Sequence, residues 1–205
     1  MKQILLVVII SGFAIQAVSQ KEKYLGIALL NTQSDLPFGK FSGMFTDAFH
    51  PGVEATFGIN INVRKKHDCF WDLRLAYFYH RFVQHGIPLY TNFGYRYKFN
   101  RRFSVDAALG AGYMHSIPAT TKLKFNGNGN YENNKGIGRI QANVCFGVGA
   151  GYWLNQESKK PLKLFFTYQQ RLQLPFVRSY VPILPYNSFM AGICKPLTSK
   201  PIKNN

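Results

Sequence analysis

The chain has 205 residues and carries 25 Lys and Arg against 9 Asp and Glu, a formal net charge of +16. Charged residues make up only 17% of the sequence and aromatic residues 16%, which excludes a disordered chain, because such chains are rich in charge and poor in aromatic side chains. The length suits one domain, and 3 cysteines are too few, and odd in number, for a disulfide scaffold.

The first 19 residues have the pattern of a secretory signal peptide. Lys2 supplies a positive charge, an apolar run covers residues 4–10, and the small residues Ala17 and Ser19 precede a cleavage point. The alternative is a membrane-anchoring helix, which needs about 20 apolar residues, and Ser11 interrupts the run. We therefore predict a signal peptide over 1–19.

Apolar and polar residues alternate with period two along the rest of the chain. Eight runs show it, and they cover 24–30, 53–63, 71–79, 89–99, 103–114, 139–152, 162–172 and 187–194. In the last seven runs, about 37 of 40 positions on one face are apolar or aromatic, against about 9 of 37 on the other. Burial of both faces would equalise the two counts, so we predict strands with one apolar and one polar face.

The composition of the two faces indicates which one lies inside. The polar faces are short of charge and rich in glycine, at positions 58, 94, 110, 112, 147, 149, 151 and 192. Glycine weakens an exposed strand but makes room inside a narrow barrel. The apolar faces carry Trp71 and repeated Tyr and Phe near strand ends, as in the aromatic girdles at membrane interfaces. We therefore predict a transmembrane barrel; the alternative is a soluble barrel that binds an apolar ligand.

The connections between the runs alternate in length. Short ones are found at 64–70, 100–102 and 155–161, and long or irregular ones at 31–51, 116–137 and 174–187. The connection around Gln84-His85-Gly86 is short where it should be long. Bacterial outer-membrane barrels have an even number of strands, short periplasmic turns and longer outer loops, so we expect both termini in the periplasm.

With these runs and connections, the chain resembles the small bacterial outer-membrane β-barrel proteins of the eight-stranded outer-membrane protein A and X type. The resemblance covers about residues 24–197 and implies an all-β, antiparallel, up-and-down barrel of eight strands. It divides the chain into the signal peptide, a barrel over 20–197 and a polar periplasmic tail over 198–205. Members of that family commonly end on an aromatic residue that the outer-membrane assembly machinery reads, whereas this chain continues through Lys195-Pro196-Leu197 into the polar tail.

Five charged residues of the polar faces are predicted to form a network near the periplasmic end of the lumen. They are Asp72, Arg74, Arg96, Lys98 and Asp106. A turn at 100–102 places Arg96 opposite Asp106. A turn at Gln84-His85-Gly86 pairs Asp72 with Lys98 and sets Arg74 beside Arg96. Buried charges persist only when they are paired, and an eight-stranded lumen is filled by its own side chains, so we expect structural ion pairs; an ion pathway is the alternative.

Aromatic residues of the long connections are candidates for contacts with other molecules. The candidates are Phe38, Phe41, Phe45, Phe49, Phe176 and Tyr180. The first four are spaced by three or four residues, as on one face of an amphipathic helix, while Pro37, Gly39 and Gly43 favour an irregular loop. The segment 122–131 is predicted to be a hairpin outside the membrane, with a mobile tip.

No catalytic residue, cofactor or metal site is predicted. His115 and Ser116 are neighbours that point to opposite faces of a strand, and they do not match the His-x-Ser pattern of lipid A deacylases. The 5 histidines are scattered without metal-ligand spacing. We expect a non-enzymatic barrel with a structural or surface-interaction role and a possible protein partner. The alternatives are a subunit of an outer-membrane secretion or assembly apparatus and a lipid A-modifying acyl hydrolase or transferase.

The surplus of positive charge follows the predicted membrane position. Most of it falls at short turns or near the C-terminus, at positions 64, 65, 66, 98, 101, 102, 159, 160, 195, 200 and 203. There it would face anionic phospholipid head groups. Lys122, Lys124, Lys135 and Arg178 lie in outer connections, where lipopolysaccharide phosphates are the expected counter-ions. This distribution argues against nucleic acid as a partner.

Overall fold

The computed structural model describes residues 22–35, 48–121, 123–133, 136–154, 161–177 and 181–197. The predicted signal peptide and polar tail lie outside them. The strands are β1 (Lys23–Gln33), β2 (Pro51–Val63), β3 (His67–His80), β4 (Gln84–Lys98), β5 (Phe103–Pro118), β6 (Leu123–Phe125), β7 (Tyr131–Asn133), β8 (Arg139–Trp153), β9 (Lys163–Leu174) and β10 (Leu184–Pro196). None of the described residues forms a helix long and apolar enough to cross a membrane.

Eight of the strands close into one barrel, in the order β1-β10-β9-β8-β5-β4-β3-β2. Every pair of neighbours is antiparallel, and β1 closes the barrel against β10, with Tyr24 opposite Pro196. The short strands β6 and β7 form a separate hairpin between β5 and β8. This arrangement confirms the predicted all-β, up-and-down barrel.

The barrel is apolar outside and polar inside. Outward-facing Leu29 and Leu109 are 73% and 67% exposed, whereas inward-facing Glu54, Asn143 and Arg171 are each 0% exposed. A soluble barrel has the reverse arrangement, with its apolar side chains in the core. Since closure also leaves no free strand edge in the wall, this distribution is that of a transmembrane barrel.

Aromatic side chains mark two levels on the outside of the wall. On β3, Trp71 and Tyr79 face outward and are separated by about 27 Å along the strand, or about 20 Å along the membrane normal at a tilt near 40°. Near the first level, Tyr95 Oη hydrogen-bonds His67 Nδ1, and near the second, Tyr77 Oη lies 2.9 Å from His85 Nδ1. The spacing suits an apolar band of roughly 25 Å between two girdles.

Inward glycines make room for aromatic rings in the lumen. A Cβ atom at Gly94 would overlap the ring of Phe70, and one at Gly86 would overlap the ring of Phe78. Each ring lies against the glycine directly opposite it on the neighbouring strand β4. The glycine-rich polar faces therefore face inward, as the sequence predicts.

One region of the outer wall is polar. Tyr168 Oη lies 3.3 Å from Gln170 Oε1 and 2.8 Å from Asn187 Oδ1. These side chains face outward by strand alternation, yet they are buried. A small polar cluster on β9 and β10 therefore interrupts the apolar band.

The hairpin predicted over 122–131 is present as β6 and β7, in which Phe125 pairs with Tyr131. Its tip turns through Gly127 and Gly129, which have φ angles of 80° and 85°, a region that glycine occupies without strain. The turn predicted at Gln84-His85-Gly86 is wrong, because these residues belong to β4. The chain turns earlier, where the Val83 amide donates to the carbonyl of His80 over 3.0 Å.

Candidate functional site

The candidate site is the polar interior of the barrel, which is stacked in three layers. We call the end where β1 begins and β10 ends the turn end, and the opposite end the loop end. The turn-end layer contains Asp68, Arg96, Lys98, Asp106 and Lys163; the central layer contains Glu54, Asp72, Arg74, Tyr90, Gln169 and Arg171; and the loop-end layer contains Gln84, Ser116, Gln141, Gln173 and Tyr186.

The turn-end layer is a chain of ion pairs. Lys98 Nζ lies 2.7 Å from Asp68 Oδ1, and Lys163 Nζ lies 3.3 Å from Asp106 Oδ2. Arg96 stands between the two carboxylates, with its Nε 3.5 Å from Asp106 Oδ2 and its Nη1 3.9 Å from Asp68 Oδ2. Arg96 and Asp106 are opposite each other in the β4–β5 register, as the turn at 100–102 predicts.

The predicted pairings between β3 and β4 are wrong. Asp72 lies opposite Asn92, and Arg74 lies opposite Tyr90. The connection turns at Phe82, three residues before the predicted centre at His85, and this moves the partner of each β3 residue by six positions along β4. Asp72, for example, is paired with Asn92 instead of Lys98. The five predicted charges therefore belong to two layers instead of one ladder.

Arg74 holds the central layer together. Its Nε and Nη2 donate to the two carboxylate oxygens of Asp72, each over 2.9 Å, and its Nη1 donates to Glu54 Oε1 over 3.0 Å. Tyr90 Oη donates to the other oxygen of Glu54, and Asn92 Nδ2 donates to Asp72 Oδ1 over 3.0 Å. Both carboxylates are fully buried, so their charges depend on these partners.

Arg171 completes the central layer and was not predicted from the sequence. Its Nη2 donates to Gln169 Oε1 over 2.6 Å, and its guanidinium lies 5.0 Å from the centre of the Tyr90 ring. With Arg74 it balances the two carboxylates of the layer. Its Nε and Nη1, and both amide atoms of Asn143, have no hydrogen-bond partner among the described residues, and we expect bound water there.

The loop-end layer is a neutral cluster that fills the lumen. Gln84 Nε2 donates to Gln173 Oε1 over 2.6 Å and to Tyr186 Oη over 2.8 Å. Ser116 Oγ donates to Gln84, and Gln173 Nε2 donates to Gln141. Every side chain of this layer is buried. These residues were missed because uncharged polar side chains give little signal, although their positions on the polar faces were visible.

A cavity of about 40 Å³ lies between the turn-end and central layers. Cationic side chains from three strands line it, together with two carboxylates: Arg74, Arg96, Lys163, Asp72 and Asp106. The volume suits a few water molecules. The described interior is thus a packed, largely polar core with a small cavity, and an apolar cluster that includes Phe78, Met114 and Met190 packs beside it.

The candidate catalytic side chains are engaged elsewhere. His115 Nε2 lies 2.8 Å from the carbonyl of Ile137 on the outside, whereas Ser116 faces the lumen, so the two point to opposite faces as predicted. In the described part of the chain, no group of three or more His, Cys, Asp or Glu could hold a metal ion. The cysteines at 69, 145 and 194 are free thiols.

Only part of the predicted contact set can be placed. Phe38, Phe41, Phe45 and Tyr180 lie outside the described residues. Phe49 is exposed just before β2, and Phe176 is half-buried with the guanidinium of Arg139 5.6 Å from its ring centre.

Strand number, closure and an apolar exterior around a polar interior decide the architecture. The protein is an eight-stranded barrel of the outer-membrane type. No family model and no curated protein sequence matches the chain.

Three solved structures are similar in fold. Ail of Yersinia pestis, solved with the heparin analogue sucrose octasulfate, is 14% identical with a TM-score of 0.42 and covers 86% of this chain and 97% of its own. Neisserial surface protein A is 8% identical, with a TM-score of 0.47 and coverages of 85% and 95%. OprG of Pseudomonas aeruginosa is 9% identical, with a TM-score of 0.38 and coverages of 86% and 95%. At this level the likeness says nothing of ligands or partners.

Proposed function

We propose that the protein is a non-enzymatic barrel of the bacterial outer membrane that presents its outer connections as a contact surface. The observation that carries this proposal is the filled lumen, in which ion pairs and a neutral glutamine cluster occupy the interior. Such an interior stabilises the wall, and the cavity of about 40 Å³ between its turn-end and central layers has room for water but not for a larger solute. The functional surfaces are then the two ends of the barrel.

The turn end is proposed to face the periplasm, with both termini on that side. Two observations support this orientation: the connections there are short, and they are basic. Lys23, Arg64, Lys65, Lys66, Arg101, Arg102 and Lys195 lie at this end. Basic side chains at a membrane surface attract anionic phospholipid head groups, each worth about 1 kcal/mol. Insertion would depend on the outer-membrane assembly machinery.

The loop end is proposed to be the contact surface, facing lipopolysaccharide and a protein partner. Exposed apolar side chains concentrate there beyond the outer girdle: Phe49, Phe82, Leu123, Phe125, Tyr131 and Ile137. On soluble proteins, exposed apolar patches mark interaction sites. The same reasoning applies to the loop end, because it projects from the membrane into water.

Labelling of intact cells tests the orientation. Asn128→Cys at the hairpin tip should react with a membrane-impermeant maleimide, whereas Lys65→Cys in the turn between β2 and β3 should react only after the outer membrane is opened. The reverse pattern would contradict the proposal. The native thiols at 69, 145 and 194 are first replaced by serine or alanine, with heat-modifiable migration as the control for folding.

Two further measurements separate the functions. Purified barrel in planar bilayers should give no solute-sized conductance, and lipid A from cells with and without the gene should have the same mass. A lipid A mass shift would instead establish the acyl hydrolase or transferase.

A subunit of a secretion or assembly apparatus is the second candidate, and the basic turn end favours it. That function predicts co-purification with large partners, lost in Arg101→Gln/Arg102→Gln. Retention of all partners in this variant, with loss in Phe125→Ser/Tyr131→Ser, would support the loop end as the contact surface.

A further inference from the structure

Two histidine rings are stacked at the loop end of the barrel. His50 lies just before β2 and His80 ends β3; their ring centres are 3.7 Å apart and their planes differ by 12°. The two residues are only 3% and 4% exposed. Histidines at the rim of a barrel would normally be hydrated, so this burial needs an explanation from their partners.

Both rings hydrogen-bond to the residues that leave β1 at the start of the first outer connection. His50 Nδ1 lies 3.0 Å from Gln33 Oε1, and His80 Nε2 lies 3.2 Å from Ser34 Oγ. The amide of Thr32 donates to the carbonyl of His50 over 3.0 Å. The stack thus ties residues 33–34, which leave β1, and His50, which enters β2, to the end of β3.

The surroundings of the stack suit neutral rings. His50 Nε2 and His80 Nδ1 are buried and make no hydrogen bond in the part of the chain that the structure describes. Phe82 and Tyr186 pack edge-on against the rings. Neither ring has a salt bridge to a carboxylate among these residues.

Among the described residues, one cation and one acid are adjacent in sequence to the residues that form the stack and its hydrogen bonds. Arg81 follows His80, and Asp35 follows Ser34. Burial lowers the pKa of His50, the backbone hydrogen bond with Thr32 opposes this, and the positive charge of Arg81 lowers it further. Because both rings are buried and burial disfavours the charged form, a proton on either ring would be held less well in the stack than in water.

We propose that His50 and His80, with Gln33 and Ser34, form an acid-sensitive latch that holds the base of the first outer connection against the barrel and releases it when the rings are protonated. The closed latch requires neutral rings. A released ring regains the ordinary histidine pKa of about 6.5. The latch is therefore fully closed above that value and weakens as the pH falls below it.

The size of the effect follows from proton linkage. Between pH 7.5 and pH 5, a histidine that binds its proton only in the open state raises the opening constant about 30-fold, and two such histidines raise it about 1,000-fold. Each ring contributes its own factor, so single substitutions should remove about half of the effect on a logarithmic scale.

Hydrogen exchange of the Thr32 amide tests the latch, because this amide is bonded to His50. The protection factor is measured by NMR on the barrel in nanodiscs at pH 7.5 and pH 5. We expect it to fall by at least about 30-fold in the wild type and by less than threefold in His50→Gln/His80→Gln. The matched control is His85→Gln, a histidine of the same rim that faces outward beside Tyr77, and it should behave as the wild type.

The same measurement can overturn the proposal. Wild-type protection that changes less than threefold, or an equal fall in the double variant, would show that these histidines do not control the connection. If the double variant fails to give a heat-modifiable barrel, His80→Gln alone is used, and it should show about half of the wild-type effect on a logarithmic scale. An undiminished effect there would also refute the latch.

Discussion

Replacement of Arg74 by methionine tests the idea that the lumen is held by paired charges. The substitution keeps an unbranched aliphatic stem, ends two atoms short of the terminal guanidinium nitrogens, and removes three hydrogen bonds, two to Asp72 and one to Glu54. Both carboxylates are 0% exposed, so neither can turn to water. Removal of one partner from a buried ion pair costs about 3–5 kcal/mol.

The remaining partners set the upper limit of this loss. Asp72 retains Asn92 at 3.0 Å and Tyr24 at 3.3 Å, and Glu54 retains Tyr90. We therefore expect Arg74→Met to lower the free energy of unfolding by about 3–5 kcal/mol in total, not by that amount for each carboxylate. Urea unfolding of the barrel in lipid vesicles, followed by the fraction of heat-modifiable band, measures it.

Two variants make the result decisive. Lys98→Met removes a turn-end cation whose side chain is 26% exposed; its partner Asp68 is buried but retains Arg96 at 3.9 Å, so the loss should be smaller, about 1–3 kcal/mol. Asp72→Asn/Arg74→Met removes one charge of each sign, leaves Glu54 and Arg171 to balance each other, and should recover about half of the loss, since a neutral replacement of a buried pair costs little. The reasoning is refuted if Arg74→Met loses less stability than Lys98→Met, or if Asp72→Asn/Arg74→Met is less stable than Arg74→Met.

Three other predictions follow from packing and exposure. Gly112→Ala places a Cβ atom 2.5 Å from the Cα of Tyr90 and should lower the free energy of unfolding in urea by about 1–3 kcal/mol. In Gly147→Ala the nearest atom is 3.5 Å from the new Cβ, and the free energy should stay within about 1 kcal/mol of the wild type. Equal losses in the two variants would contradict the packing. Leu109→Arg, at an outward position 67% exposed, should lower the stability of the barrel in vesicles by about 2–4 kcal/mol. Ile137→Arg, outside the apolar band of the wall, should cause no measurable loss. A Leu109→Arg variant as stable as the wild type would argue against a lipid-facing wall. Tyr186→Phe removes a hydroxyl that accepts a hydrogen bond from Gln84 over 2.8 Å and should lower the stability of the barrel by about 1–3 kcal/mol. The lumen should stay closed, because the other side chains of the loop-end layer remain. A new conductance in planar bilayers would contradict this expectation.

The architecture was predictable from the sequence because successive side chains of a strand point to opposite faces, so the local sequence alone indicates which residues share a face. A residue such as Leu109 or Gly110 faces lipid or lumen according to its position along the strand, and the composition of each face indicates which side is which. The same alternation placed the inward glycines correctly. It fails where a strand carries polar groups outward, as at Gln170 and Asn187, and where apolar side chains face the lumen, as at Phe78 and Met190.

The register between β3 and β4 could not be predicted in the same way. Gly86 was interpreted as a turn residue, but the structure shows that it makes room for the ring of Phe78. The actual turn at Arg81-Phe82-Val83 contains no glycine or proline. Both registers keep every side chain on its own face, so the hydrophobic pattern cannot distinguish them.

The charge network was predictable in kind but not in membership. Asp72, Arg74, Arg96, Lys98 and Asp106 were found because they lie on polar faces near short turns. Glu54 pairs with Arg74 of the next strand, whereas Lys163 and Arg171 meet Asp106 and Tyr90 from strands that are distant in sequence. The lumen brings such residues together only when the barrel closes, which a single strand does not reveal.

Spin-label accessibility tests most directly whether the apolar face of the wall meets lipid. A nitroxide on Leu109→Cys, with the native thiols replaced, should be relaxed strongly by oxygen and weakly by a water-soluble nickel chelate in vesicles, while one on Asn128→Cys at the hairpin tip should show the opposite. Strong relaxation of the Leu109 label by the nickel chelate would place that face in water and contradict the account.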